Sequence, residues 1–594
     1  MIAERLVALR AQMKTQNVDA FIIPSTDPHQ SEYVSGHWKL REYFSGFTGS
    51  AGTLVITQDI AALWTDSRYF LQFEDECANT EVQLCKQTIP HAPEHVKWLC
   101  DLLPEGTTIG VNYFQFSKSQ IDLINTHAKA KHIQVKNQPD FADAVWTNRP
   151  SLPNETIDTH PLEFSGETTA SKLKKVKHTI STQKANYYLF SALDEIAWLF
   201  NIRSRDVDFT PLVTAYALVG IDKTLLFCKK ERLSSTAIEA FSKLNVEIID
   251  YDKMVSEMER VASESVIITD PSSLNYATYN ATKATFIYQK SLVKKLKAIK
   301  NETEIEGAIN CMHKDGVALT KFFIWLENEL EKREISEYEI GRKLNSFRAQ
   351  QEYYTGESFA AIVGYKGNGA IIHYTAAKEG SAMVKNEGIL LIDSGAQYRN
   401  GTTDITRTIW LGGTPSKTIK TAYTSVLKGY IQLETQQFPQ GTTGTQLDTL
   451  ARMHMWNSGL NYPHGTGHGI GSFGMVHEPA QGFATSGTTE RGTTPHLPNQ
   501  FTTIEPGCYV TNEFGIRTEN VVVSKAIKTT PFGTFLGFTP ITLCYIDTQL
   551  VSEELLTSTE KTWLNNYNEM VFNKLKPQLN DNEQKWLANK CKSI

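Results

Sequence analysis

Long apolar runs are missing from this chain. No stretch approaches the roughly 18 apolar residues a helix needs to cross a bilayer, so the sequence predicts no membrane span. Blocks of Lys and Arg are missing too. The densest, Lys172 to Lys177, reads as a solvated helix face, and 59 basic against 65 acidic residues leave a net charge of −6. That balance argues against nucleic acid as a partner, which would require a basic stripe or patch. Cysteine is sparse, with eight in 594 residues (Cys77, Cys85, Cys100, Cys228, Cys311, Cys508, Cys544, Cys591) and no Cys-x-x-Cys pair. Reduced thiols in a cytoplasmic protein are the simplest account. The opening MIAERLVALRAQM spells an amphipathic helix without an uninterrupted apolar core, so a cleaved leader is not expected there.

What is present is an ordinary globular composition, 41% hydrophobic and 21% charged. It is spread over more residues than one core organises, and about three domains are expected. Residues 5–25 read as a helix with Leu6, Leu9 and Met13 on one face, followed by the strand AFIIPS. Residues 172–192 repeat this 167 positions later, with Leu173, Val176, Ile180 and the strand YYLFSA. Each then enters a segment punctuated by aromatics with Gly or Asn, YFSGFTGSAGTLVIT and WLFNIRSRD. These units predict two α/β modules, residues 1–155 and 156–288, connected through the proline-rich RPSLPNETIDTHP. A third module, 289–594, opens with Asn301 and Glu304 as a capping box, and Ile305, Ile309, Met312, Leu319 and Phe323 form the stripe of a long helix. Ser336 with Glu339 repeats the cap. Hairpins should follow, giving helices on a curved, mainly antiparallel sheet. Beyond residue 545, Trp563 and Trp586 at helical spacings should cover apolar surface of this module or of a second subunit.

Five residues stand out against this background: Asp393, Asp404, His468, Glu505 and Glu519. Each lies in an apolar strand or a glycine-rich turn, where a buried carboxylate is costly without a cation or a full set of hydrogen bonds. GILLID ends an apolar run at Asp393. Eleven residues on, past the turn pair Asn400-Gly401, Asp404 stands in TTDITRT, so the two acids are expected to face each other across a hairpin. His468 stands in HGTGHGIG, whose four glycines bring the backbone close to whatever the imidazole holds. Glu505 closes FTTIE before Pro506-Gly507. In GIRTENVVV, strand alternation would put Arg517, Glu519 and Val521 on one face. Four carboxylates neutralise two divalent cations and leave room for a bridging hydroxide. Such paired ions, about 3.5–4 Å apart, acidify one water and polarise a carbonyl. Oxygen-rich donors with one His and no Cys favour Mn²⁺, with Zn²⁺ and Co²⁺ as alternatives. Taken singly, each acid reads better as a solvated turn residue; together, the five reverse that.

The segments IDSGAQYRNGTTDITRT, PHGTGHGIGSFGMVHE, TIEPGCYV and GIRTENVVV resemble the metallopeptidases of the pita-bread fold: methionine aminopeptidase, prolidase and Xaa-Pro aminopeptidase (aminopeptidase P). The order Asp, Asp, His, Glu, Glu, with spacings of 11 and 14, is similar to that of aminopeptidase P. The resemblance implies that Asp404 and Glu519 bridge two ions, that Asp393 binds one, and that His468 with Glu505 binds the other. It also implies that His373, His464 and His477 surround the pair and stabilise the tetrahedral intermediate or move protons, with His373 and His477 touching substrate. Without it, His464 could merely brace the glycine loop, and His373 could be a satisfied strand histidine. Arg517 would hold ligand carboxylates in place. Arg68 in DSRYFLQ would contact substrate at the active-site entrance; the plainer alternative is an ion pair with Asp66 or Glu74.

Two N-terminal modules and a tail make the chain similar to the long, three-domain cytosolic form of aminopeptidase P. SGFTGSAGTLVIT, ALWTDSRYFLQ and SALDEIAWLFNIR extend the resemblance over nearly the whole chain. The implied fold is α/β (α+β), two creatinase-N-like modules followed by a pita-bread catalytic domain. The implied function is release of the N-terminal residue from peptides with proline second, a tertiary amide that has no N–H to grip. A hydroxide bridging the ions would attack the carbonyl, and Glu505 would pass the proton to the proline nitrogen. The substrate amine would bind at the ion held by Asp393. The implied partners are such peptides and a second copy in a homodimer. A prolidase-type Xaa-Pro dipeptidase is the alternative, disfavoured by the second N-terminal module. A non-catalytic peptide- or histone-binding relative is another, disfavoured because all five ligand positions survive.

Overall fold

The computed structural model describes residues 1–88, 92–139 and 141–594. It divides into two compact units, Met1–Pro161 with Glu167–Lys294, and Leu162–Gly166 with Lys295–Ile594.

In the first unit the helix–strand succession read from the sequence occurs twice. Ile2–Thr15 buries Leu6, Leu9 and Met13 and leads into the strand Ala20–Pro24. Thr169–Thr182 buries Leu173, Val176 and Ile180 and leads into Tyr187–Phe190. Each strand lies inside a six-stranded sheet. The first runs Gln83–Lys86, Ala61–Thr65, Thr53–Thr57, Ala20–Pro24, Thr108–Val111, Gln134–Asn137. The second runs Val246–Ile249, Thr224–Phe227, Tyr216–Gly220, Tyr187–Phe190, Val266–Thr269, Thr285–Tyr288. In both, neighbours pair parallel, antiparallel, antiparallel, parallel, parallel. The counterpart expected in WLFNIRSRD is different, however. That segment ends the helix Leu193–Phe200 and adds the short strand Ile202–Arg203. Leu193, Ile196, Ala197 and Phe200 repeat at helical spacing and are all buried, which outweighs the aromatic–asparagine punctuation. The strand that matches Thr53–Thr57 is Tyr216–Gly220.

In the second unit, Asn301 caps the helix Glu302–Leu330 in a reciprocal box with Glu304. Met312, Leu319 and Phe323 are buried as expected, but Ile305 and Ile309 are only half-buried while Ala308 and Cys311 are covered. The helix is turned so that Gly307 faces the carbonyl of Asn400, where a Cβ would come within 2.4 Å of that oxygen. Ser336 caps Glu337–Arg348 through the amide of Glu339 at 3.1 Å.

The strand Gly388–Ser394 pairs antiparallel with Ile362–Tyr365 on one side and Ile405–Gly412 on the other. The register places Thr406 opposite Asp393, so the two aspartates are offset along the hairpin rather than directly opposed. A larger sheet runs Phe438–Pro439, Gly533–Pro540, Asn520–Thr530, Phe501–Ile504, Gly467–Gly469, Glu478–Phe483. The run expected as one strand through Arg517, Glu519 and Val521 is broken. Phe514–Arg517 pairs with Gly507–Val510, whereas Asn520–Thr530 pairs with Phe501–Ile504. Glu505 and Glu519 occupy the break between Ile504↔Asn520 and Gly507↔Arg517, where the ribbon passes from one sheet to another.

The tail packs on this unit. Leu564, Tyr567, Val571, Leu575 and Leu587 join its main core. Trp563 Nε1 donates to Glu434 at 2.8 Å and Trp586 Nε1 to Glu327 at 2.6 Å. Among the described residues, no helix is long and apolar enough to cross a membrane.

Candidate metal centre

The strand ends and breaks of the second unit bring the five predicted ligand residues into one locality. Ligand atoms of Asp404, His468 and Glu519, all buried, lie within 4.8 Å of one another. His468 Nε2 stands 3.4 Å from Asp404 Oδ2 and 3.7 Å from Glu505 Oε1. Its Nδ1 is 2.9 Å from the carbonyl of Gly469, the geometry of an Nδ1–H donor. That leaves Nε2 facing the acids, free to bind a cation there when unprotonated. Asp393 stands across Arg517, whose Nη2 donates to Asp393 Oδ2 at 2.6 Å, while Asp393 Oδ1 is buried with no hydrogen-bond partner.

Backbone hydrogen bonds tie these positions together in pairs. The amide of Glu505 donates to the carbonyl of Thr466 at 2.7 Å, two residues before His468. The amide of Glu519 donates to Thr406 at 3.1 Å, two residues after Asp404. The hydroxyl of Thr406 also donates to Glu519 Oε2 at 2.8 Å.

Electrostatically the cluster is overloaded with negative charge. Burial, with Asp393 and Glu505 alongside, holds the Asp404 carboxyl well above the ordinary carboxylate range. Burial and the neighbouring Asp404 do the same to Glu519. Burial pushes Glu505 up to about 7, against the pull of Arg517. Three buried acids and a half-buried fourth with a guanidinium beside them, and a carboxylate oxygen that no protein group satisfies, are the signature of a cation site. Hard oxygen donors with a single correctly oriented imidazole fit two divalent cations.

The other predicted residues divide. The His477 ring packs edge-on against His468 with centroids 4.4 Å apart. His464 Nε2 is 2.8 Å from the hydroxyl of Tyr509, which accepts from Arg517 Nη1 at 2.8 Å, so His464 meets the cluster through that pair. His373 is half-buried on the segment after the short helical turn Lys366–Ala370. Arg68, in the first unit, makes a fork to Asp66, Nε to Oδ1 and Nη2 to Oδ2, both at 2.7 Å.

Residues 5–139 and again 148–304 match the creatinase/prolidase N-terminal domain. Residues 307–526 match metallopeptidase family M24, and 534–594 match the C-terminal region of that family. A probable Xaa-Pro aminopeptidase P from Coprinopsis cinerea is 36% identical over 100% of this chain and 98% of its own length. One from Pyricularia oryzae is 37% identical over 96% of each. The chain belongs to the Xaa-Pro aminopeptidase P family. A solved X-prolyl aminopeptidase from Caenorhabditis elegans, described as a cytosolic enzyme with a di-nuclear active site, superimposes with a TM-score of 0.95 at 32% identity over the whole of both chains.

Several supports of the centre carry no clear mark in the sequence. Arg407 is buried and donates to the carbonyls of Glu519, Tyr545 and Cys544 and to Asn520 Oδ1, fixing the backbone at the break. Its signal was present, an arginine inside the apolar strand ITRTIWL. Arg452, paired with Asp448, donates to the carbonyls of Tyr462 and His464, and Asp448 in turn accepts from Thr466. Their spacing of four on one helix face is one that a solvated pair shares, so it carries no signal of its own. The positive charge of Arg491 lowers the Glu505 carboxyl's affinity for its proton, and no motif marked it.

Proposed function

We propose that the chain is a metal-dependent aminopeptidase that removes the N-terminal residue from peptides with proline in the second position. The observation that carries this reading is the convergence of Asp404, His468 and Glu519 within 4.8 Å in a buried, acid-rich cluster. Asp393, Asp404, His468, Glu505 and Glu519 would hold two divalent cations, with Mn²⁺ the ion such donors favour. When bound, the ions supply an acidified water and polarise the scissile carbonyl. Glu505, with its side chain 18% exposed, is the acid best placed to take a proton and deliver it to the proline nitrogen. His477, against His468, and His373 would donate to the carbonyl oxygen as it gains charge. Arg517 and Tyr509 hold Asp393 and His464 in place. Arg68 is retained as a contact for the substrate's downstream end.

The C. elegans protein is described as cytosolic. That, and eight cysteines none of which is in a disulfide, support a cytoplasmic setting. A homodimer, and a division into 1–155, 156–288 and a catalytic module 289–594, belong to the same proposal. The test is a panel of Xaa-Pro dipeptides, Xaa-Pro-Yaa tripeptides and longer peptides, assayed after chelation and re-addition of Mn²⁺, Zn²⁺ or Co²⁺. Metal-restored cleavage of tripeptides and longer substrates is expected. Cleavage of dipeptides alone would make the chain a prolidase, and no cleavage with any ion would remove the enzymatic reading.

A further inference from the structure

One buried carboxylate outside the metal cluster has an unusual set of partners. Glu337 is 0% exposed at the start of the helix Glu337–Arg348. Its Oε1 accepts from the amide of Tyr365 at 2.8 Å and from Asn368 Nδ2 at 3.0 Å. Its Oε2 accepts from the hydroxyl of Tyr374 at 2.7 Å, from Asn368 Nδ2 at 3.1 Å and from the amide of Ala382 at 3.2 Å. Its own amide donates to the carbonyl of Ala382 at 3.0 Å. All the partners of its side chain are donors, so both oxygens of an ionised carboxylate are hydrogen-bonded there without a cation, against the burial that raises its pKa. They come from four points along one segment, residues 365 to 382. The base of that segment is closed by the pairing of Met383–Val384 with Ile335–Ser336, directly before Glu337.

That segment carries His373, the residue before Tyr374. Its first turn is seated on the centre: Gly369 abuts Gly515 so tightly that a Cβ on Gly515 would lie 1.7 Å from the Gly369 carbonyl oxygen. Gly515 is two residues before Arg517 on the same strand. At this same end the segment continues from the strand that places Ile362 opposite Asp393. The segment is therefore fixed to the ligand strands at its start and to Glu337 along the rest. His373 lies between Asn368 and Ala382, which Glu337 holds directly.

We propose that Glu337 is a positioning residue for His373, gathering residues 365–382 around one buried carboxylate so that the imidazole is presented in a single orientation. This rests on the functional reading above only for its kinetic consequence; the gathering itself does not. Glu337→Gln keeps the shape but turns an amide NH₂ toward a ring of donors, releasing part of the segment. Tyr374→Phe removes a single tie beside His373.

The experiment combines proteolysis with a double-mutant cycle, using Leu344→Ala, a buried core truncation on the same helix, as a control for lost stability. Trypsin should cut Glu337→Gln at the exposed Lys378 faster than wild type or Leu344→Ala at matched distance from their melting temperatures. On Xaa-Pro-Yaa peptides, Glu337→Gln should lower kcat/KM roughly 10–100-fold, the scale of a misplaced catalytic group. Tyr374→Phe should lower it less. In a His373→Ala background the loss from Glu337→Gln should nearly vanish, because residues acting as a unit are non-additive. Undiminished loss in that background, or cleavage at Lys378 no faster than in Leu344→Ala, would overturn the proposal. A wild-type chain inactive on every peptide would overturn the enzymatic reading and the kinetic half with it, leaving proteolysis to decide the gathering.

Discussion

Arg517 and Asp393, 124 residues apart in the chain, are joined by a 2.6 Å hydrogen bond from Nη2 to Oδ2. The same guanidinium donates to Thr406 and Tyr509 at 3.0 and 2.8 Å, so one planar fork spans the strand of Asp393, the strand beside Asp404 and the ribbon of Glu505. Replacing it by Lys keeps the charge and loses the fork. Arg517→Lys should weaken metal binding roughly 10–100-fold, as loss of a group orienting a ligand does. Competition with a calibrated chelator measures this; unchanged affinity would show that Asp393 needs no such support.

Asp404→Asn removes one negative charge and one anionic oxygen at nearly constant volume. Bound metal should be lost and turnover should fall by several orders of magnitude, with the circular dichroism unchanged. Full activity at unchanged metal content would refute the two-ion assignment.

His477 packs edge-on against the ring of His468, and its charge bears on Glu505. His477→Ala should therefore leave metal stoichiometry nearly intact and lower turnover roughly 10²–10³-fold, the usual loss for one oxyanion or acid–base group. A collapse in metal content would make it a structural prop of His468.

Arg68 is neutralised locally by its fork to Asp66. If it contacts the downstream part of the substrate, Arg68→Ala should raise KM for tripeptides and longer substrates and leave the melting temperature unchanged. A lowered melting temperature with unaltered KM would assign it to Asp66 alone.

A pH dependence of stability follows from His496, stacked on Phe483 and flanked edge-on by Phe438 and Phe538. Burial lowers its pKa to about 4. The unfolded chain takes up the proton near pH 6.5 and the folded one only near 4, so the unfolded state binds more protons between them. Stability therefore rises with pH across that window and is lost as pH falls. His496→Phe should flatten the dependence of melting temperature on pH between about 4 and 6.5. An unaltered acid limb would place the responsible group elsewhere.

The sequence marked the residues of the acidic cluster better than the path of the chain between them. Asp393 and His468 could be read because an acid ending an apolar run, or an imidazole among glycines, is expensive unless it holds something. Glu519 lies in the cluster where it is expected, but not on the continuous strand that alternation predicts. Alternation cannot signal that a ribbon changes sheets between Gly507↔Arg517 and Ile504↔Asn520. The duplicated module was legible in its first helix and strand. It failed at WLFNIRSRD, where helical periodicity outweighed the aromatic punctuation. Arg407 stayed hidden because its partners are mostly backbone carbonyls, which leave no trace in side-chain patterns; Glu337 stayed hidden because its partners lie 28 to 45 residues away along the chain.

The amides of Glu505 and Glu519 close onto Thr466 and Thr406, so the spacing of the acidic cluster is written in main-chain hydrogen bonds formed on folding. The cost of bringing together segments distant in sequence is met before any ion arrives. The metal-free protein should thus keep these two amides among its slowest to exchange with deuterium. Reloading after chelation should proceed at the pace of diffusion and dehydration rather than refolding.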